Sequence, residues 1–412
     1  MSLKCLSGFR DFYPEQCRLR EHIFKAWRES ALVFGFSQID GPPLEPLELY
    51  KKKSGEEIVN QLYHFVDKGE REVALRPEMT PTLARMAGAK HRDYKKPMKW
   101  FAIPQLFRYE RAQRGRLREH FQWNCDVLGE TGLGAEVEVL AVLDMALRKL
   151  GLSSADYVFK ISDRVFWQEF LTKHNVPEER HYDFFQVLDK IEREKPEETR
   201  VKLGDLADHV LAAIEKGEGN ARLNEVLERC AAMGLADVVQ VDLRIVRGLA
   251  YYTGVVFEVH DRKGEMRAIA GGGRYDHLVK LISGEDLTAV GFGMGDVVLG
   301  EMLKDRGLLP PASAEASYYV VVTEEAQRNQ ALALVTALRQ SGCRVDYPLA
   351  PTKVGKQFQA AEDIGFTHAV VVGAEFTIEG TCGLKQLALR TQETVRPEIL
   401  NGCFVKWIPV GC

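Results

Sequence analysis

Four short segments carry residues whose types and spacing could do chemistry. In the first, Arg108 and Glu110 close the apolar run 100–110, and Gln122, Asn124 and Asp126 punctuate the run 120–128. If both runs are strands, alternation puts each polar set on one face. A polar face alone also describes the wet side of an antiparallel sheet. The loop between the runs adds weight, because Arg111, Arg114, Arg116 and Arg118 crowd beside Arg108. Such a group of guanidinium ions calls for an anionic partner, a polyphosphate or an RNA backbone.

The second segment is Leu75-Arg76-Pro77-Glu78-Met79-Thr80. In an extended chain Glu78 and Thr80 point the same way and could hold a substrate ammonium. The third, Arg247 to Gly254, supplies a cation at Arg247 and two phenols at Tyr251 and Tyr252, at the entrance to a strand. Aromatic pairs in strands also arise from packing. The fourth is Ala270-Gly271-Gly272-Gly273-Arg274-Tyr275-Asp276, whose glycines let backbone approach a ligand beside Tyr275. Its spacing is not that of a dinucleotide-binding fingerprint.

The elements that would position these residues follow from periodicity. Residues 18–33 read as a helix, and Gly35, Gly41, Pro42 and Pro43 break it. Residues 100–128 read as a long hairpin with a charged tip. Residues 134–150 and 163–234 have helical spacing, the latter rich in Glu and Lys. Strand-like stretches at 251–260 and 265–270 precede a Gly-rich turn and a helix ending near Ile282, and residues 289–303 complete the interrupted sheet. After the linker-like stretch 308–316, alternating strands and helices (318–322, 326–341, 344–347, 353–364, 368–373, 383–389) predict a small α/β unit.

Composition sets the outer limits. A chain of 412 residues, 45% hydrophobic, can bury a large core and predicts two or three domains. Fifty-five basic against 59 acidic residues give a net charge of -4, so any RNA contact must use local patches. Eight cysteines without a CxxC pair read as thiols and not as metal ligands, and no metal site is expected. The apolar runs are too short to cross a bilayer, and residues 1–13 lack an apolar signal core, so a cytoplasmic protein without a membrane partner is expected. The lysine runs 51–53 and 90–99 read as solvated faces, and His120 and His260 as packing or hydrogen-bonding residues.

Taken in order, these segments resemble histidyl-tRNA synthetases across nearly the whole chain. Arg108-Tyr109-Glu110-Arg111 with residues 114–119 and Phe121-Gln122 resembles motif 2 of that family. The Arg247 and Gly271 segments resemble its two histidine signatures, and Pro42-Pro43-Leu44-Glu45 resembles motif 1, which builds a dimer interface. The resemblance implies an α+β fold: a class II antiparallel catalytic sheet flanked by helices (1–162 and 241–312), an inserted helical domain (163–240) and a C-terminal α/β anticodon-binding domain (317–405).

It also implies ATP-dependent activation of L-histidine and its transfer to tRNA(His), by a homodimer. Glu78, Thr80 and Gln122 would hold the histidine amino group, with Asp126, Tyr251 and Tyr252 around the side chain. Arg108 and Arg247 would be catalytic, and with Glu110 and Arg116 would bind ATP, whose phosphates carry Mg2+. Gly271, Gly272, Gly273 and Tyr275 would lie against the ligand. The alternative within the same fold is a non-catalytic, histidine-binding regulatory subunit of ATP phosphoribosyltransferase, which typically lacks the anticodon domain.

Two positions depart from the family pattern. Residues 290–299 resemble motif 3, but the arginine expected near its end is Val298, and Ala250 stands where an acidic residue is often found. Arg114, Arg116 and Arg274 are the cations considered as replacements for the missing phosphate contact.

Overall fold

The computed structural model describes residues 3–54, 56–110, 115–247, 251–264, 266–310, 316–397 and 400. They form two compact units, divided between Leu309 and Pro310.

The first unit is built on a nine-stranded sheet. Its order is Ser37–Gln38, Met98–Ala102, Glu119–Leu128, Ala289–Gly295, Ala270–Arg274, Val255–Asp261, Tyr157–Asp163 and Val239–Val241, and Gln105–Phe107 also pairs with Glu119–Leu128. All pairings are antiparallel except those of the two outermost strands. The hairpin expected over 100–128 is present, with its first arm broken at Ile103 and Pro104. Proline has no N–H to give the ladder. Its carbonyl still accepts from the Gln122 N–H at 3.1 Å, so the register from Ala102↔Asn124 to Gln105↔Phe121 is kept.

One expectation fails here. The Gly-rich segment read as a turn is itself the central strand Ala270–Arg274, and 266–269 lead into it. Glycine has little strand propensity, but it is required where a neighbour leaves no room for Cβ. A Cβ on Gly272 would lie 2.1 Å from the Gly291 carbonyl oxygen.

Helices Pro14–Val33 and Gly134–Lys149 cover one face of this sheet. Proline at the first turn is compatible with helix initiation and extends the first helix four residues beyond the expected start. Leu140, Leu143 and Leu147 of the second helix are fully buried, each contributing roughly 1.5–3 kcal/mol. Trp27 stacks on Trp123 at 6.0 Å. The helices Arg164–Lys173, His181–Lys190, Pro196–Leu203, Ala207–Lys216 and Ala221–Ala232 form the predicted helical segment, and Trp167, Leu188 and Val226 join its interior to the same core. The architecture is thus the α+β sheet-and-helix arrangement read from the sequence.

The second unit has five strands in the order Arg344–Asp346, Ser317–Val322, His368–Val372, Cys382–Gln386 and Thr391–Val395. The first three are parallel, and helices Arg328–Gln340 and Val354–Ile364 make the crossovers. Separate apolar clusters on the two faces of the sheet bury Leu334 and Ala361, as a parallel sheet requires. Sequence periodicity missed the short helix Ala374–Ile378 and the exposed strand Thr391–Val395.

Candidate functional site

The floor of the site is a row of glycines. Gln122, Asn124 and Asp126 stand opposite Gly295, Gly293 and Gly291, and Gly293 and Gly291 stand opposite Gly271 and Gly273. A Cβ on Gly291 would lie 1.9 Å from Asp126 Oδ1, and one on Gly271 would lie 2.2 Å from Arg247 Nη1. The missing side chains are therefore the space into which Asp126 and Arg247 extend. A polar cavity opens above, walled by Glu78, Thr80, Arg108, Tyr251, Tyr252 and Tyr275.

Arg76 fixes the approach of Glu78. It is buried and donates to the carbonyls of Gln105 (3.0 Å) and Gly41 (2.6 Å). Arg108 Nε then donates to the Pro77 carbonyl at 3.0 Å. Thr80 is not extended, as the sequence suggested, but the first residue of helix Thr80–Lys90, and it reaches the cavity with Glu78 nonetheless. Tyr251 and Tyr252 lie together with ring centroids 4.7 Å apart.

Charge inside the cavity is governed by burial. Asp126 accepts from the Tyr275 hydroxyl. Burial lifts its carboxyl to about 7, against the opposing effect of that hydrogen bond. Asn124 is buried in the same wall, and its Oδ1 has no hydrogen-bond partner among the described residues. A buried acceptor left over in a cavity is satisfied by a ligand donor or by water.

A second cavity of about 1180 Å³ shares Arg108, Gln122, Arg247, Gly271 and Gly293 with the first. Arg247 has φ +54°, a costly conformation for a non-glycine residue, and its Nη1 donates to Glu258 at 2.7 Å. Burial opposes ionisation of Glu258, but hydrogen bonding from His260 and the charge of Arg247 outweigh it and hold the carboxylate at about 2. His120 is driven down to about 3 by burial and by Arg108, Arg10 and Arg116, so it is neutral. Arg116 pairs with Glu110. Arg111, Arg114 and Gly248 to Ala250 lie outside the described residues.

Arg274 points elsewhere. It is buried against Glu136 (2.7 and 2.8 Å) and the carbonyls of Glu130 and Gly132, both at 3.0 Å, so it cannot replace the arginine missing at Val298. Val298 itself packs against the apolar core.

Two residues were missed in the sequence. Lys53, which the sequence reads as solvated surface, has a side chain 1% exposed and pairs with Glu78, a residue that borders the small cavity. Nothing in the run Lys51 to Lys53 distinguishes it. Glu258 left a usable signal: with His260 it is polar at alternate positions of an otherwise apolar strand, which marks a face turned to a site. Chemically, a small pocket holding carboxylates, phenols and amides meets a large basic cavity at Arg108 and Arg247. That arrangement can bring an amino acid against a polyphosphate.

Residues 8–295 match the family "Histidyl-tRNA synthetase", and 317–404 match "Anticodon binding domain". The chain is 45% identical to histidine–tRNA ligase of Opitutus terrae over 96% of its own length and 97% of the relative's. It is 38% identical to the chloroplastic/mitochondrial histidine–tRNA ligase of Arabidopsis thaliana, covering 94% of this chain and 84% of that one. The crystal structure of histidyl-tRNA synthetase from Nostoc sp. PCC 7120 superposes with a TM-score of 0.83 at 24% identity, covering 97% of this chain and 98% of that chain, and bears out the fold. On the strength of the sequence relatives and the match over residues 8–295, the chain belongs to the histidyl-tRNA synthetase family.

Proposed function

We propose that the small polar cavity binds L-histidine and the large basic cavity binds ATP, side by side, for the reaction of this family. The protein is a class II aminoacyl-tRNA synthetase, a ligase that activates histidine and charges tRNA(His). The observation that carries the assignment of the cavities is their shared wall: Arg108 and Arg247 border both.

Glu78, Thr80 and Gln122 would receive the histidine ammonium, and Asp126, Asn124, Tyr251 and Tyr252 would surround its side chain. An oxygen of the histidine carboxylate attacks the α-phosphorus of ATP, the bond from that phosphorus to the bridging oxygen breaks, and pyrophosphate leaves. Charge gathers on the α-phosphate oxygens, where Arg108 and Arg247 would stabilise it. Glu258 acts through Arg247 by fixing its guanidinium. Glu110 would hold Arg116 toward the distal phosphates. Gly271 keeps the floor open and Tyr275 holds Asp126, whereas Gly272 and Gly273 border neither cavity. The nucleophile is already anionic, so neutral His120 is not needed as a base. Magnesium would arrive on the ATP phosphates and supply charge neutralisation there.

The adenylate then passes its acyl group to a hydroxyl of the terminal ribose of tRNA, releasing AMP. The second unit would hold the anticodon, with Lys353 and Lys356 exposed at the start of helix Val354–Ile364 as its basic edge. The three-strand sheet of Leu44–Pro46, Glu72–Leu75 and His64–Val66 exposes Leu44, Phe65 and Val66, which supports a homodimer through the motif 1 region. The three domains would be 1–162 with 241–312, 163–240 and 317–405. Among the described residues no helix is long and apolar enough to cross a membrane, and the cytoplasm is the proposed location.

Histidine-dependent exchange of labelled pyrophosphate into ATP, with other amino acids as controls, tests the assignment. Exchange with histidine alone is expected. Histidine binding without exchange would favour the regulatory-subunit reading.

A further inference from the structure

We infer that Arg164 is a positioning residue for the activation step: it clasps the backbone at Val246 and Arg247 and again at Gly254, and so sets the root of the Arg247 side chain. The role rests on Arg247 acting at the α-phosphate, as proposed above.

Arg164 opens helix Arg164–Lys173, directly after the N-cap Asp163, whose side chain accepts from the Val165 N–H at 3.1 Å. Its own N–H donates to the Gly254 carbonyl at 3.0 Å. Its Nη1 donates to the carbonyls of Val246 (3.2 Å) and Arg247 (3.4 Å). One residue therefore holds Val246 and Arg247 on one side and Gly254 on the other. Arg247 has φ +54°, which a non-glycine residue keeps only where its surroundings enforce it. The Glu258 carboxylate fixes the tip of the Arg247 side chain, and Arg164 fixes the backbone from which that side chain springs.

Stability does not account for this arginine. It is buried, and among the described residues its guanidinium pairs with no carboxylate. Burial lowers its pKa to about 10, with Tyr252 acting in the opposite direction. Its Nε is buried without a hydrogen-bond partner among the described residues. A cation in the first turn also opposes the helix dipole. The partners it does have are the two carbonyl oxygens and the face of the Phe185 ring, whose centroid lies 4.0 Å from the guanidinium carbon. Phe185 is itself buried in helix His181–Lys190, so the clasp ties the helical segment to the backbone of Arg247.

The test is histidine-dependent pyrophosphate exchange by the full chain, with Arg164→Met made both in the unaltered protein and in Arg247→Ala. Methionine keeps an apolar side chain against Phe185 and removes the donors to Val246 and Arg247. The backbone bond to Gly254 survives the substitution, and with it the end of the segment nearer the two tyrosines. Arg164→Met should lower kcat roughly 10- to 100-fold, the scale of a misplaced catalytic group, with the calorimetric Kd for histidine within about threefold. In Arg247→Ala the same substitution should change kcat by less than about twofold, because no guanidinium is left to position. Arg164→Lys keeps the charge and loses the fork, so it should fall between, and it carries the same comparison if Arg164→Met does not fold. Unchanged kcat in these variants, an undiminished effect in the Arg247→Ala background, or a parallel loss of histidine affinity overturns the inference. Absence of exchange in the unaltered protein, or exchange that Arg247→Ala leaves intact, would instead overturn the functional reading on which it rests.

Discussion

The Lys53 ammonium rests on the Glu78 carboxylate and lies 4.4 Å from the centre of the Tyr251 ring, with its side chain 1% exposed. Glu78 is the carboxylate proposed to take the ammonium of histidine, so an internal cation stands where the substrate cation is expected. Burial pushes the Lys53 ammonium toward deprotonation, while Glu78 acts in the opposite direction.

The pair makes opposite predictions for its two members. Glu78→Gln leaves a buried ammonium without its carboxylate and should cost about 3–5 kcal/mol of stability. Lys53→Met leaves Glu78 facing the cavity and should cost less, while KM for histidine should fall by roughly an order of magnitude because no cation has to be displaced. Urea midpoints and exchange kinetics measure both. A rise in KM on removing Lys53 would show that it helps to hold the substrate.

The contrast with the sequence is instructive. The polar face of residues 119–128 was legible because strand alternation depends on local chain geometry alone. Lys53 was not, because which of three adjacent lysines turns inward is decided by a carboxylate 25 residues away. The Gly271 strand was mistaken for a turn because its glycines answer to atoms across the sheet. The sequence leaves Arg274 open as a phosphate ligand because its partner Glu136 is 138 residues distant. Elements set by local periodicity were visible, and contacts closed by distant chain segments were not.

The glycine floor can be tested at two points with different expected outcomes. At Gly271 the intruding Cβ meets the end of a flexible side chain, Arg247 Nη1. Gly271→Ala should therefore cost no more than about 1 kcal/mol of stability yet displace Arg247 and reduce exchange at least tenfold. At Gly291 the Cβ meets Asp126 Oδ1 and also the Cys125 carbonyl oxygen at 2.8 Å, which is backbone. Gly291→Ala should cost about 1–3 kcal/mol and lose histidine binding by calorimetry. Normal exchange in Gly271→Ala would mean that Arg247 does not act from its observed position.

Asp126 should impose a pH dependence on stability. Its carboxyl titrates at about 7 in the folded protein, from an ordinary value of 3.8. Between these values the folded state keeps a proton that the unfolded chain has lost. The contribution is complete below the unfolded value, declines as pH rises, and levels off above the folded one. The slope should approach roughly 1 kcal/mol per pH unit. Urea unfolding at several pH values should show it in the unaltered protein and not in Asp126→Asn. Parallel curves for the two would place the buried proton elsewhere.

Glu258 gives a prediction that separates positioning from binding. It borders the large cavity but not the small one, and it holds Arg247 at 2.7 Å. Glu258→Gln should lower kcat for exchange at least tenfold by releasing Arg247, with the Kd for histidine within about twofold of the unaltered value. Arg247→Ala should be more severe, about 100- to 1000-fold, as expected for loss of a donor aimed at transition-state charge. Equal effects on kcat and on histidine affinity would mean that the pair shapes the amino-acid pocket instead.

The two compact units predict a separation of activities. Residues from Pro310 onward form a unit with its own apolar clusters on both faces of its sheet, and Leu334, Val370 and Ala361 are fully buried within it. Gln357 ties helix Val354–Ile364 to strand Ser317–Val322 by giving 2.8 Å and accepting 2.9 Å bonds at Val322. Every residue assigned here to histidine or ATP lies before Leu309. Deleting 317–412 should therefore leave histidine-dependent pyrophosphate exchange within a fewfold of the full chain, while aminoacylation of tRNA(His) at limiting tRNA falls by orders of magnitude. Equal loss of both activities would mean that the second unit supports the first one's fold and not its grip on tRNA.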